Sequence, residues 1–359
     1  MLFAKTLEHI QQQLAQDSYV GVQLYISLKG DVLLDTALGQ ATPTTPMQQD
    51  TVMLWFSSGK PITAVAVAKQ YERNLLDLDD KVSLFIPEFA QHNKADITIR
   101  HLLTHTGGFL REWHWQNYLN QPWQDIIKMI CQAPLESNWH VGEDAGYHPA
   151  SSWFVLGEII RRVDGRDYAR FVREEIFEPL GMTNCWLGIL PETDILSLDL
   201  GTMYNTSREL PAPYPHAVFD SQAALEWCNP GERARGPIRE LAILYECLLA
   251  QGKHAGHSFL QPDTVQTLTT AHSHSIRDKT IGQAVDWGLG FAINSPASSD
   301  YRYFGESFSP STFGHGGYQS SLAFADPEVG LTVALLLNGT RPGRRCHEIA
   351  QSIWQELFG

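Results

Sequence analysis

Ser57 and Lys60, in the run Ser57-Ser58-Gly59-Lys60, are the residues of this chain best placed to do chemistry. A serine hydroxyl is a weak nucleophile until a neighbour takes its proton as it attacks. Three residues of separation put both side chains on one face of a helix, within mutual reach. Helix geometry alone can therefore build a nucleophile and its activator. The bland reading of the same tetrapeptide is a helix cap beside a solvated lysine. No other serine in the chain is followed by a lysine three residues later.

A serine enzyme also needs a proton donor for the leaving group and N–H donors for the oxyanion. Two segments can supply them, Gly146-Tyr147-His148-Pro149 and Gly314-His315-Gly316-Gly317. A tyrosine beside a lysine ammonium is expected to have its pKa lowered, which suits Tyr147 to proton transfer. Gly316 and Gly317 lack side chains, so a substrate can approach their backbone closely. The N–H of Tyr318 is then expected to pair with that of Ser57 as an oxyanion hole. His315 reads either as a substrate-binding group or as a turn residue. His105, in Leu102-Leu103-Thr104-His105-Thr106-Gly107-Gly108, reads as structural. Trp113, Trp115, Trp123, Trp139 and Trp153 either line an apolar cleft or belong to the core.

Other chemistries fail on inspection. The chain has fourteen histidines but no HExxH and no His/Cys pair at zinc spacing, so no metal is expected, and no other cofactor. Gly59-Lys60-Pro61 is not a phosphate loop, because Pro61 replaces the hydroxyl residue. Gly288-Leu289-Gly290 lacks the third glycine of a dinucleotide site. No GxSxG elbow is present. With 26 basic and 40 acidic residues the net charge is −14, which argues against nucleic acid or an anionic membrane surface as partner. Met1-Leu2-Phe3-Ala4-Lys5 does not read as a signal peptide, and no transmembrane run follows. Five widely spaced cysteines without CxxC read as reduced core thiols, so a cytoplasmic location is expected.

The elements that must position these groups are legible in outline. Residues 4 to 16 read as an amphipathic helix, and 20 to 28 and 32 to 38 as a hairpin turned at Lys29-Gly30-Asp31. Ser57 opens a helix with Pro61 in its first turn, and Ile62 to Tyr71 is apolar on nearly every side, as in a buried helix. Asp125 to Cys131, Ser151 to Val163 and Tyr168 to Phe177 read as helices. Trp287 to Ile293, Leu322 to Ala325 and Leu331 to Leu337 read as strands of one sheet, and Arg344 to Phe358 as a closing helix. Strands at both ends with helices between imply an α/β fold. Residues 1–55 and 241–359 would form the sheet domain, and 56–240 an inserted, mostly helical one, with the site at the junction.

The order Ser57-x-x-Lys60, Tyr147, His315-Gly316-Gly317 resembles the serine β-lactamase and penicillin-binding-protein superfamily. Within it, class C β-lactamases and family VIII carboxylesterases look nearest. Ile99-Arg100-His101-Leu102-Leu103-Thr104-His105-Thr106-Gly107-Gly108 and Glu178-Pro179-Leu180-Gly181-Met182 are phrases similar to the family's, as is Leu76 to Val82 followed by Ile86-Pro87-Glu88-Phe89. The resemblance implies an antiparallel sheet flanked by helices, with an inserted helical domain. It implies Ser57 as the acylated nucleophile, Lys60 and Tyr147 sharing base and acid work, and the N–H groups of Ser57 and Tyr318 holding the oxyanion. Two positions depart from the pattern. Pro149 stands where the family's second motif has Asn, so a side-chain amide is lost. His315 stands where penicillin-recognising members have Lys, a weaker and titratable cation. Both departures point away from β-lactamase and peptidase activity, towards ester hydrolysis or acyl transfer. The expected partner is a small-molecule ester or acyl substrate, with His315, Gly316, Gly317 and His148 as candidate contacts. An acyltransferase or peptide-processing enzyme uses the same machinery, and a silent binding protein is the reading from a different class. The loops around 109–123, 200–235 and 295–312 are expected to set the substrate.

Overall fold

The computed structural model describes residues 2–112, 114, 118–119, 121–295 and 302–359. Its centre is a seven-stranded antiparallel sheet made from both ends of the chain. In spatial order the strands are Asp286–Trp287, Ala292–Ile293, Phe313–Gly317, Ser321–Asp326, Leu331–Leu337, Gly21–Leu28 and Asp31–Gly39. The N-terminal hairpin turns at Lys29 and Gly30, whose φ angles of 54° and 87° suit a two-residue turn that matches strand twist.

The first strand shows how the sheet sits between two layers. Val22, Leu24 and Ile26 face the terminal helices Ala4–Ala15 and Arg345–Phe358, packing with Phe3, Ile10, Ile349 and Ile353. The alternate residues face the helix Ile238–Leu249. Tyr25 and Ser27 donate to the Glu246 carboxylate at 2.7 and 2.6 Å, and Gln23 accepts from the Ile238 N–H at 3.1 Å. Period-two alternation thus decides which layer each side chain meets.

Beyond this layer lies the helical part. The helix Lys60–Glu72 is buried nearly all round, with Ile62, Ala64, Val65 and Ala66 fully enclosed. Ser151–Asp164 packs beside it, closed by Gly165 at φ 89°. A small three-stranded sheet, Met53–Leu54, Ala234–Gly236 and Trp186–Leu187, ties the start of the buried helix to the segment before residue 234.

Three sequence expectations are corrected. Residues 287–293 are two short strands rather than one, reversed through Gly288 and Gly290, the latter at φ 80°. Gly314-His315-Gly316-Gly317 lies in a strand, not a turn, because it pairs along its length with Ser321–Asp326. The helix expected over 168–177 holds α geometry only to Val172 and continues as a π turn over Arg173–Phe177.

Candidate active site

The nucleophile candidate sits where three pieces meet. Phe56–Gly59 forms a short 3-10 turn that runs directly into the buried helix. Phe56 holds φ 50°, an unusual backbone for a residue with a side chain, and its ring packs on Phe219 and Tyr318. The turn is anchored on both sides. Trp55 donates from its backbone N–H to Ala234 O at 2.9 Å and from its indole to Gly236 O at 2.8 Å. Ser321 donates to Trp55 O at 2.6 Å, and Ser58 donates to His315 O at 3.0 Å.

Ser57 Oγ accepts from Lys60 Nζ at 3.0 Å and from the Tyr147 hydroxyl at 2.8 Å. Lys60 is fully enclosed, and its Nζ also donates to Pro149 O and Gly231 O, each at 2.7 Å. Carbonyls only accept, so in the neutral amine these two hold both N–H groups and the lone pair faces Ser57 Oγ. Burial pushes the Lys60 pKa down to about 7, opposed by the charge of Glu232. The site can therefore present a neutral amine to a serine hydroxyl near neutral pH.

Tyr147 departs from the sequence expectation of a lowered pKa. Its ring lies against His105 and Trp287, and burial raises the phenol well above its ordinary value despite the bond to Ser57. Desolvation outweighs the bond to Ser57, so Tyr147 is a neutral phenol that donates to Ser57.

His315 is corrected in the same way. It is enclosed, and burial holds its pKa at about 3, so it is no cation. Its Nδ1 donates to Gly316 O at 2.7 Å, which fixes Nε2 as the unprotonated nitrogen. His148 is brought near but not into the cavity. Its N–H donates to His105 Nδ1 at 3.1 Å and its Nε2 accepts from the Phe109 N–H at 3.4 Å. Burial holds it too at about 3.

Ser57, Tyr147, His315, Gly316, Gly317 and Tyr318 all line one cavity of about 1080 Å³, and His148 does not. Among the described residues, no turn or loop hydrogen bond uses the backbone N–H of Ser57 or of Tyr318. Gly317 serves packing: a Cβ there would stand 2.1 Å from Trp55 O. Of the tryptophans, Trp139 and Trp153 are core and Trp123 packs against it, while Trp113 and Trp115 lie outside the described residues. The cavity's aromatic wall comes from Phe56, Phe219, Trp287 and Tyr303, with Glu232 and Arg233 beside it. Sequence reasoning missed these. Only Glu232 carried a signal, as an acidic residue directly after the turn residues Asn229-Pro230-Gly231.

A serine bonded to both a lysine and a tyrosine, between a seven-stranded sheet and a helical layer, marks the chain as a serine hydrolase. The chain belongs to the Beta-lactamase family, whose model matches residues 7–357. It is similar to Esterase EstB of Burkholderia gladioli, 27% identical over 358 residues and spanning 92% of this chain and 89% of the relative. Among solved structures it resembles a penicillin-binding protein homologue from Caulobacter crescentus, with TM-score 0.81 and 26% identity over 99% of this chain and 97% of that one. A family VIII carboxylesterase shares the fold, with TM-score 0.82 and 22% identity over 99% of this chain and 97% of the other. No helix among the described residues is long and apolar enough to cross a membrane.

Proposed function

We propose that this protein hydrolyses carboxylic esters of small molecules through a covalent acyl-Ser57 intermediate. The observation that carries the reading is Ser57 Oγ, bonded at once to Lys60 Nζ and the Tyr147 hydroxyl on the wall of an open cavity. Lys60, as the neutral amine, takes the Ser57 proton while Oγ attacks the ester carbonyl. The negative charge that develops on the carbonyl oxygen meets the N–H groups of Ser57 and Tyr318. Tyr147 gives its proton to the departing alkoxide and is reprotonated from the Lys60 ammonium. Water then attacks the acyl group, its proton returning through the same pair, and Ser57 is released with its hydroxyl restored.

Two features favour esters over β-lactams or peptides. Pro149 contributes its carbonyl to Lys60 and has no side-chain amide for a substrate. The buried, neutral His315 offers no cation for a substrate carboxylate. The likeness to Esterase EstB points the same way.

The test is hydrolysis of a p-nitrophenyl ester series from acetyl to octanoyl, with Ser57→Ala as control and intact-mass detection of the acyl-enzyme. Turnover by the wild type alone, with one acyl group added to Ser57, is the expected result. Ester hydrolysis that persists in Ser57→Ala would remove Ser57 from the reaction. A transesterified product that replaces acid when a short alcohol is added would reassign the enzyme to acyl transfer.

A further inference from the structure

Glu232 has no part in the scheme above, yet its surroundings are built to hold it. Asn229 pins the segment with both ends of its side chain: Oδ1 accepts from the Gly231 N–H and Nδ2 donates to Glu232 Oε2, each at 3.0 Å. The backbone turns back on itself, with the Glu232 and Arg233 N–H groups donating to Asn229 O at 3.2 and 3.1 Å. Thr63, from the nucleophile helix, donates to Pro230 O at 2.9 Å and is itself held by the Tyr168 hydroxyl at 2.8 Å. Gly231, between these fixed points, is one of the two carbonyls that grip Lys60. One turn therefore places a carbonyl on the amine and a carboxylate on the cavity wall.

Among the described residues that line the cavity, Glu232 is the only carboxylate. Lys60 makes no direct ion pair with it. The amine's contacts go to Ser57, Pro149 and Gly231, so Glu232 acts on it across space. We propose that Glu232 is a positioning residue: its carboxylate, pinned by Asn229 next to the Gly231 carbonyl that grips Lys60, sets the pH at which the amine becomes the base for Ser57.

The other groups around the pair do not supply this charge. Tyr147 is a neutral phenol, and His105, His148 and His315 are held neutral by burial. Arg233 follows Glu232 in the chain and draws its carboxylate towards the charged form, as Lys60 itself does. His114 and His216 line the same cavity. Burial outweighs the two cations and the Asn229 bond and raises the Glu232 carboxyl above its ordinary value, so its charge is held less firmly than that of an exposed carboxylate. An ammonium stabilised by a nearby carboxylate gives up its proton at higher pH. Removing the charge must then make Lys60 a free amine at lower pH.

This inference rests on Ser57 as nucleophile and Lys60 as its base, but it can be tested without ester turnover. The readout is the rate of Ser57 labelling by a fluorophosphonate as a function of pH, in wild type, E232Q, E232A and E232D. Gln keeps the acceptor for Asn229 and loses the charge. In E232Q the acid limb is expected to move down by about one pH unit. At a pH one unit below the wild-type midpoint, E232Q then labels several-fold faster relative to its own plateau. E232A should shift the same way, and E232D should follow the wild type. An unmoved or raised limb in either folded neutral variant overturns the inference. An unmoved limb combined with loss of acyl-enzyme breakdown assigns Glu232 to water activation instead. Absence of ester turnover with a shifted limb would be a failure of the ester reading alone.

Discussion

At the scale of single residues, proton positions decide who does what. Three imidazoles and a phenol surround Lys60, and burial keeps all four neutral. The sequence invited a cationic His315 and an acidified Tyr147, because charge pairing is what residue types advertise. Desolvation is invisible until the packing is known, and here it is the larger effect. Tyr147 should therefore act by donating. Its hydroxyl stands 2.8 Å from Ser57 Oγ, while its ring is held by Trp287 and His105. Tyr147→Phe keeps the ring contacts and removes only the proton. kcat/KM should fall by about 10²–10⁴-fold with little change in melting temperature. Steady-state kinetics beside a thermal melt checks both halves, and a variant with near-normal turnover would take Tyr147 out of the mechanism.

At the scale of elements, the site depends on how closely the strand Phe313–Gly317 lies against the nucleophile turn. A Cβ on Gly317 would stand 2.1 Å from Trp55 O and 2.2 Å from Ser321 Oγ. Neither the backbone carbonyl nor the short serine can swing away. Gly317→Ala should push the strand off the turn, costing about 1–3 kcal/mol. It should also carry the Tyr318 N–H away from Ser57, lowering kcat/KM by about 10²-fold. Gly316→Ala is the control, since its Cβ would meet the Tyr303 hydroxyl at 3.1 Å, the end of a side chain. Equal losses in both variants would mean that the glycines serve substrate access rather than strand packing. The motif Ser57-x-x-Lys60 was legible because one helix builds it. The first strand of the N-terminal hairpin was legible because Val22, Leu24, Ile26 and Leu28 recur at every second position. The docking of the Glu232 turn on Lys60 and Thr63, and the Ser58–His315 and Ser321–Trp55 anchors, were not legible, since each joins residues far apart in sequence through contacts that no local pattern encodes. The strand at 313–317 was hidden by its glycines, which read as turn residues until a partner strand is present.

At the scale of the whole molecule, the same neutral imidazoles tie the site to acid stability. His148 and His315 are enclosed and held at about 3, against an unfolded value near 6.5. Below pH 6.5 the unfolded chain takes up protons that the native state refuses, so stability falls as pH falls, down to the folded value. Between pH 6.5 and 5 each of the two contributes a loss of about 2 kcal/mol. His105, held down in the same direction, adds to it. Against a total stability of about 5–15 kcal/mol this is a large share. Lys60 does not contribute in that window, because below about 7 it is protonated in both states. The urea midpoint should therefore fall steeply from pH 6.5 to 5, and a flat midpoint would show that the imidazoles are protonated in the native protein. Acid loss of the fold then has its cause in the histidines, and acid loss of catalysis in Lys60. E232Q leaves all three histidines in place, so it should move the pH dependence of catalysis without removing the acid loss of the fold.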